Sequence, residues 1–460
     1  MNFESIAKYG LFFFFFLGMY FYMSRKLYSL FALLIISFGM NAFTALAGTL
    51  WFPYKVVMFA TTLYALNTGT IPFVKDTLQG YYVTLFISVL TAWIFTPNIA
   101  GVTFLQGPTM RPIVQLYTYV TMALLVPFIV NIINTKERLE WSYKVYMRLS
   151  EIIIFIGLLH FVFIILGMEF LPILRPGGKE SEFAAFGFEE TSINRIYGIS
   201  GEPKSLATFI LPYIFISLYN YIERNYNVSK TYHIFTLITS FIIMIYTFSS
   251  AILISAGIGI IVIPMLFKHS IGSRILNYAI MVGIVFFVFT QSGSSFIQNN
   301  SKSKNNESIS FMDVLYERSL GRVEKEKNER YETVALNDII YTEPEFLITG
   351  FGLGMYNYHL PMPKHSRGIE PIDSGWIVIL LDMGFIGLIY FLSLFQRLIK
   401  LKNTNKYYND IIFNSYLIGA FIGFLAHLGN NALYQIFLFT GLSIAAWNVI
   451  TKEDKMMNVS

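Results

Sequence analysis

Runs of eighteen or more apolar residues recur along almost the whole chain, and nothing constrains its fold more. A stretch of that length coils into a helix that crosses about 30 Å of hydrocarbon, where backbone N–H and C=O groups must be satisfied within the segment. About thirteen such runs can be marked, centred near Phe14, Ile35, Leu63, Ser88, Leu124, Ile156, Leu211, Ile242, Ile258, Ile284, Leu381, Ile418 and Leu438. With 55% hydrophobic and 13% charged residues, against about 25% charged in soluble domains, the chain cannot fold as a soluble globule. The expected fold is an all-α polytopic membrane protein of about 13 transmembrane helices, with no soluble domain appended. The first run leads into Ser24-Arg25-Lys26 and not into a small-residue cleavage site. It therefore reads as a retained span and not a signal peptide.

Lysine and arginine fall at every second short connection. They are Arg25 and Lys26, Lys75, the group Lys136, Arg138, Lys144 and Arg148, Arg224 and Lys230, Lys268 and Arg274, residues 397–406, and Lys452 with Lys455. Basic loops stay in the cytoplasm, so one topology fits them all: N-terminus outside, C-terminus in the cytoplasm. The polar loops at 174–204 and 291–371 then face outward. The net charge of +5 mostly reflects the inner-face excess, which anionic lipid satisfies without a nucleic-acid partner. Cysteine is absent, which excludes disulfides and thiolate metal sites. No repeat of fixed period is visible. The chain divides into residues 1–290 with the first ten spans and the outer loop 174–204, the large loop 291–371, and residues 372–460 with the last three spans and a cytoplasmic C-terminus.

Two polar segments break the apolar pattern. The first runs from Arg175-Pro-Gly-Gly to Arg195-Ile-Tyr-Gly198-Ile-Ser-Gly201-Glu202-Pro203-Lys204-Ser205. Glycine and proline so close to hydrocarbon mean irregular backbone, which is tolerated only under a cover of protein or water. Arg195 and Glu202 either line an outward cavity or belong to a capping turn with Arg195 reaching the interface. The second is the large loop. Residues 298–307 are rich in Asn and Ser and read as a linker. Residues 311–340 have helical spacing with a break near Gly321, and carry Arg318, Arg322 and Arg330 among Glu324, Glu326 and Glu329, a pattern that a solvated, ion-paired helix face also produces. Gly350-Phe-Gly352-Leu-Gly354 lacks the following Lys and the strand-to-helix setting of a nucleotide loop, so it reads as close backbone packing beneath a cavity. His359, His365 and Arg367 follow, then Asp373-Ser-Gly-Trp376 at the next span. The six histidines are scattered, with no spacing for joint metal ligation; His160 and His427, in or near spans, read as packing residues.

These pieces, in this order, resemble the Wzy-type O-antigen polymerases and O-antigen ligases of bacterial surface polysaccharides. Arg195-x-x-Gly198-x-x-x-Glu202-Pro203 is similar to the family's Arg-x-x-Gly before a Glu-Pro or Asn-Pro. Arg330, Ala335, Ile339, Ile340, Pro344 and Gly350-x-Gly352 are similar to an Arg opening a loop helix that closes on Pro and Gly-x-Gly. Asp373-Ser-Gly-Trp376 with Asp382-Met-Gly384-Phe-Ile-Gly387 looks like the return into the membrane. Ligases carry a His near the position aligned with Asp373; here His365 is eight residues earlier, which points toward the polymerases.

The resemblance implies a GT-C-like membrane glycosyltransferase of the cytoplasmic (inner) membrane, acting on its extracytoplasmic face without a cofactor or metal. It would transfer a growing glycan from undecaprenyl diphosphate to the non-reducing end of a lipid-linked repeat unit, with inversion. Expected partners are the undecaprenyl diphosphate-linked oligosaccharide, membrane lipid, a chain-length regulator and a flippase. A departing diphosphate needs fixed cationic donors, which Arg supplies bidentately. Arg195 and Arg330 are assigned to that clamp. Asp373 and Glu202 are the candidate bases with His365 third, and Glu202 has the alternative task of orienting Arg195. Arg318, Arg322, Lys204, His365, Arg367, Tyr356 and Trp376 are assigned to substrate binding, with Tyr356, Tyr358 and Trp376 suited to stacking on sugars. The alternatives are a ligase to lipid A core and a lipid-linked oligosaccharide flippase or other transporter. A transporter calls for ionisable residues near the midplane of several spans, whereas here they gather in the two loops.

Overall fold

The structure is a computed structural model that describes residues 3–43, 45–46, 50–69, 72–95, 107–168, 170, 185–188, 191–225, 229–266, 336–359, 374–404, 410–430 and 432–457. These residues are mostly helical, as an apolar chain in lipid requires, with two small antiparallel hairpins added. Among the described residues, six helices are long and apolar enough to cross a membrane, and five shorter apolar ones accompany them. The span centre expected near Ile284 lies outside the described residues. Every other expected centre falls in a described helix or, for Leu124, at the junction of two. The chain is a multi-pass membrane protein. By backbone contacts it resolves into two compact units, interleaved in sequence.

The first unit comprises Met1–Leu46, Leu50–Val57 and Glu140–Glu324. It holds α1 (Phe3–Met23), α2 (Leu27–Gly39), a hairpin of β1 (Ala45–Leu46) and β2 (Leu50–Trp51), and the first turn of α3 (Pro53–Thr68). Most of α7 (Lys136–Ile165) follows, then the hairpin of β3 (Ala185–Phe188) and β4 (Thr191–Asn194), then α8 (Pro203–Ile222), α9 (Lys230–Tyr246) and α10 (Ser250–Leu266). α8 is buried along nearly its whole length, with α2, α9 and α10 packed on it. Lipid tails are as apolar as leucine, so van der Waals fit and interhelical hydrogen bonds hold such helices together. Tyr232 Oη on α9 donates to Glu151 on α7 at 3.1 Å, where Arg148 also pairs with Glu151 at 2.9 Å, and Asn220 on α8 bonds the Tyr143 hydroxyl on α7.

The second unit comprises Ala47–Thr49, Met58–Leu139 and Lys325–Ser460. It holds the rest of α3, α4 (Pro72–Ile94), α5 (Arg111–Ala123), α6 (Leu125–Ile132), the short loop helices α11 (Phe346–Thr349) and α12 (Tyr356–His359), and α13 (Gly375–Thr404), α14 (Ile411–Ala426) and α15 (Leu433–Met457). α5 and α6 part at Leu124 because Pro127 offers no N–H and its ring crowds the carbonyl four residues back. α14 and α15 pack as a hairpin, and α15 also covers α6. Tyr81 on α4 is fully buried among Tyr390, Phe391 and Phe437, with ring centroids 5.1–5.8 Å away. α13 is not continuous: Gly384 has φ 62°, ψ −160°, and the helix breaks there.

Candidate functional site

In the first unit, the Arg-x-x-Gly segment is a covered, irregular loop between β4 and α8, as the glycines require. Pro203 is the first residue of α8, where its missing N–H costs nothing, and Glu202 is the extended residue before it. The loop is fastened at three places. Ile196 N donates to Tyr246 O at 3.2 Å, at the end of α9. Tyr197 N and Gly198 N both donate to His160 Nδ1 on α7, at 3.2 and 3.1 Å. Ser200 Oγ donates to Gly39 O at 2.8 Å, and Ala42 N to Ile199 O at 3.0 Å, at the end of α2. Gly201, at φ +69°, passes so near that an added Cβ would stand 2.9 Å from Ala42 Cα. Ile196, Tyr197, Ile199 and Ser200 are buried.

Arg195 is half-buried at the start of this loop. Its Nε donates to Thr247 O at 2.7 Å and one terminal nitrogen to Phe248 O at 3.3 Å. A cation at the C-terminal end of α9 meets the negative pole of that helix. It also steadies Phe248, a non-glycine residue at φ +46°. The capping turn foreseen as one reading is therefore present. Glu202 Oε2 accepts from Ser205 Oγ at 3.2 Å, at the positive end of α8, and Lys204 follows in the first turn, half-buried.

In the second unit, the described part of the large loop is set into the break of α13. A single π-helical turn (Asp338–Thr342) leads through Pro344 to α11. Gly350 then turns at φ +73°, and Phe351 N donates to Leu381 O at 2.7 Å. A Cβ on Gly350 would stand 2.6 Å from the backbone of Asp382 and Met383, and one on Gly352 (φ +95°) 2.5 Å from Ala92 on α4. The glycine triplet thus serves close backbone packing, as read from the sequence. The acceptor at the centre is Asp382, 2% exposed. Its Oδ1 accepts from Gly354 N at 2.9 Å and its Oδ2 from Tyr119 Oη at 3.1 Å, while Ser88 on α4 bonds its carbonyl. Arg111, at the start of α5, donates from Nε to Gly354 O at 2.6 Å. A buried carboxyl group and a guanidinium thus hold the N–H and the C=O of one loop residue, Gly354.

Aromatic packing completes the seat. Phe346, Phe351 and His359 form a three-ring cluster with centroids 4.7–5.2 Å apart, and Tyr356 and Tyr358 are buried beside it. Burial pushes the His359 imidazole down to about 4. With Nδ1 3.9 Å from Glu343 Oε2, it is a neutral ring in the stack and not an ion-pair partner. Burial raises the Tyr358 hydroxyl, opposed by the charge of Arg111. At the first turn of α13, Trp376 lies flat against Phe424 with its edge on His427, and its Nε1 donates to Phe424 O at 3.1 Å. The His427 carbonyl accepts from Gly375 N at 2.9 Å, and its ring fills the space where a Cβ on Gly375 would lie.

Arg195, Glu202 and Lys204 are thus brought together in one unit, and Tyr356 and Trp376 belong to the other. Arg318, Arg322, Arg330, His365, Arg367 and Asp373 lie outside the described residues, as do the linker 298–307, the start of the first loop and most of the helical stretch 311–340. Sequence reading gave Arg111 and Asp382 no role in the site and read His160 as a packing residue. Asp382 had a signal, a lone carboxylate seven residues into a span and two before a glycine; such a group is buried only with partners to meet it. Among the described residues, no cluster of histidine and carboxylate could hold a metal ion.

No curated protein matches the chain closely enough to count as a relative. Residues 235–392 match a family model, Wzy_C, described as O-Antigen ligase. The match takes in α9, α10, the large loop and α13 as far as its break and just beyond. That family is one of glycosyltransferase-like enzymes of O-antigen pathways. Over residues 235–392, about a third of its length, the chain is thus similar to the O-antigen ligase family, in line with the resemblance that its motifs carry.

Proposed function

We propose that the protein is a surface-polysaccharide polymerase of the cytoplasmic membrane, acting on its extracytoplasmic face. What carries the reading is the O-antigen ligase match at 235–392, laid over a loop that is seated in a broken span beside Arg111 and Asp382. The donor is a glycan on undecaprenyl diphosphate. A hydroxyl at the non-reducing end of a second lipid-linked repeat unit attacks the anomeric carbon in line. The new glycosidic bond forms as the bond from that carbon to the diphosphate oxygen breaks, and the configuration inverts. The electron pair leaves with the diphosphate, and the acceptor's proton passes to a carboxylate, Asp373 or Glu202, with His365 the third candidate.

Charge growing on the diphosphate is met by Arg195 and Arg330, with Arg318 and Arg322 adding to the field. Lys204, Arg367, Tyr356 and Trp376 contribute to substrate binding. Arg195 keeps a fixed position because two carbonyls of the α9 end hold one edge of its guanidinium, and a donor fixed beforehand needs no reorganisation during reaction. A second reading, ligation to lipid A core, is favoured by the similarity to the O-antigen ligase family and by His427, which stands against Gly375, two residues after Asp373 in sequence.

The test is reconstitution. Purified protein in liposomes receives undecaprenyl diphosphate-linked repeat units, alone or with lipid A core. A polymer ladder with release of undecaprenyl diphosphate from repeat units alone supports the polymerase. Transfer only when core is added makes it a ligase, and release of neither product overturns both.

A further inference from the structure

His160 sits in the apolar half of α7 and is 3% exposed, the usual setting of a packing residue. Its hydrogen bonds assign it a different task. Two backbone donors, Tyr197 N and Gly198 N, converge on its Nδ1 at 3.2 and 3.1 Å. A nitrogen that accepts from two N–H groups carries no proton, so the ring is neutral with its hydrogen on Nε2. The plane of the ring is fixed as well: Phe170 stacks on it at 4.4 Å and 10°, and Tyr197 meets its edge at 4.2 Å and 69°. Gly198 takes φ +53°, and a Cβ there would stand 3.6 Å from Gly157 Cα, one turn before His160 on α7.

These two amides are the middle of the segment from Arg195 to Glu202. The segment is fastened on either side of them, at Tyr246 and at Gly39 with Ala42. We propose that His160 is a positioning residue for glycan transfer. Its Nδ1 fixes the Tyr197-Gly198 backbone and thereby aligns the Arg195 guanidinium with the substrate's diphosphate. The proposal rests on the reading of Arg195 as a diphosphate ligand. Two charge-assisted bonds to a diphosphate demand alignment, and a misplacement of about 1 Å costs on the order of 100-fold in rate.

The experiment uses the full chain in liposomes with His160→Phe, which fills the ring space without an acceptor, and His160→Asn, whose Oδ1 stands where Nδ1 stands. Amide exchange at residues 197–198 and polymer formation from lipid-linked repeat units are measured beside Arg195→Ala. His160→Phe is expected to raise exchange at 197–198 and to lower turnover ~10- to 100-fold, and His160→Asn to restore both. If His160→Phe does not accumulate, His160→Gln, with its acceptor displaced, takes its place with the same expectations. Unchanged exchange at 197–198 overturns the proposal. So does full turnover in His160→Phe while Arg195→Ala is inactive. Full turnover in both variants overturns the assignment of Arg195 itself, and the proposal falls with it.

Discussion

At residue 352 the peptide passes Ala92 with no room for a methyl group, and φ of +95° is a conformation that side chains resist. Strain of that kind costs about 1–3 kcal/mol before the clash is counted. Gly257, exposed on α10 with nothing within 4 Å of an added Cβ, is the contrasting case, where alanine gains about 0.5–1 kcal/mol over glycine in a helix. Gly352→Ala is therefore expected to lower the thermal midpoint of the detergent-solubilised protein by several degrees, and Gly257→Ala to leave it level or raise it. The comparison is a fluorescence-detected melting series on both variants. The Gly350–Gly354 spacing was legible as close packing because the missing Lys removed the phosphate reading. The partner surface was not, since Ala92 and Asp382 come from spans distant in sequence.

The element that distinguishes this chain from a plain bundle is the loop seat, α11 to α12 against the broken α13. Its ring cluster holds His359 neutral, with a value of about 4 in place of the ordinary 6.5. The unfolded loop binds a proton between those values and the folded loop does not, so the seat loses stability as pH falls from about 6.5 toward 4 and keeps it in full above 6.5. Amide exchange across residues 346–359 is expected to rise between pH 7 and pH 4.5, after correction for intrinsic rates, and to stay flat in His359→Phe. The span starting at Gly375 was legible from its apolar run. Its break at Gly384 was not, because apolarity continues through it and only the inserted loop shows why helical hydrogen bonds can be surrendered there: Phe351 N takes the carbonyl of Leu381. Likewise Pro127 was visible within the fifth run, yet an apolar count passes over the division into α5 and α6 that it imposes.

Among the described residues, hydropathy placed the apolar helices because lipid admits few alternatives, while the site resisted reading because its parts come from separate spans. Arg195 stood out by its motif; His160, which bonds the Arg195 loop, is 35 residues earlier on α7. The alternation of basic loops sets a topology that single cysteines can check, since the chain has none of its own. In intact cells, Glu345→Cys is expected to react with a membrane-impermeant maleimide, whereas Lys26→Cys and Lys452→Cys react only after permeabilisation. Labelling of Lys26→Cys in intact cells would reverse the orientation and put the loop seat in the cytoplasm.

The central claim is the proposal that Arg195 and Arg330, one on each polar loop, meet the charge of a departing lipid diphosphate. The most direct measurement is polymer formation from undecaprenyl diphosphate-linked repeat units by reconstituted wild type, Arg195→Ala and Arg330→Ala at equal protein density. Each substitution is expected to lower the initial rate by ~100-fold or more, the scale of losing one fixed donor to developing charge. Ladders of unchanged length and rate from both variants would contradict the claim and move the site elsewhere.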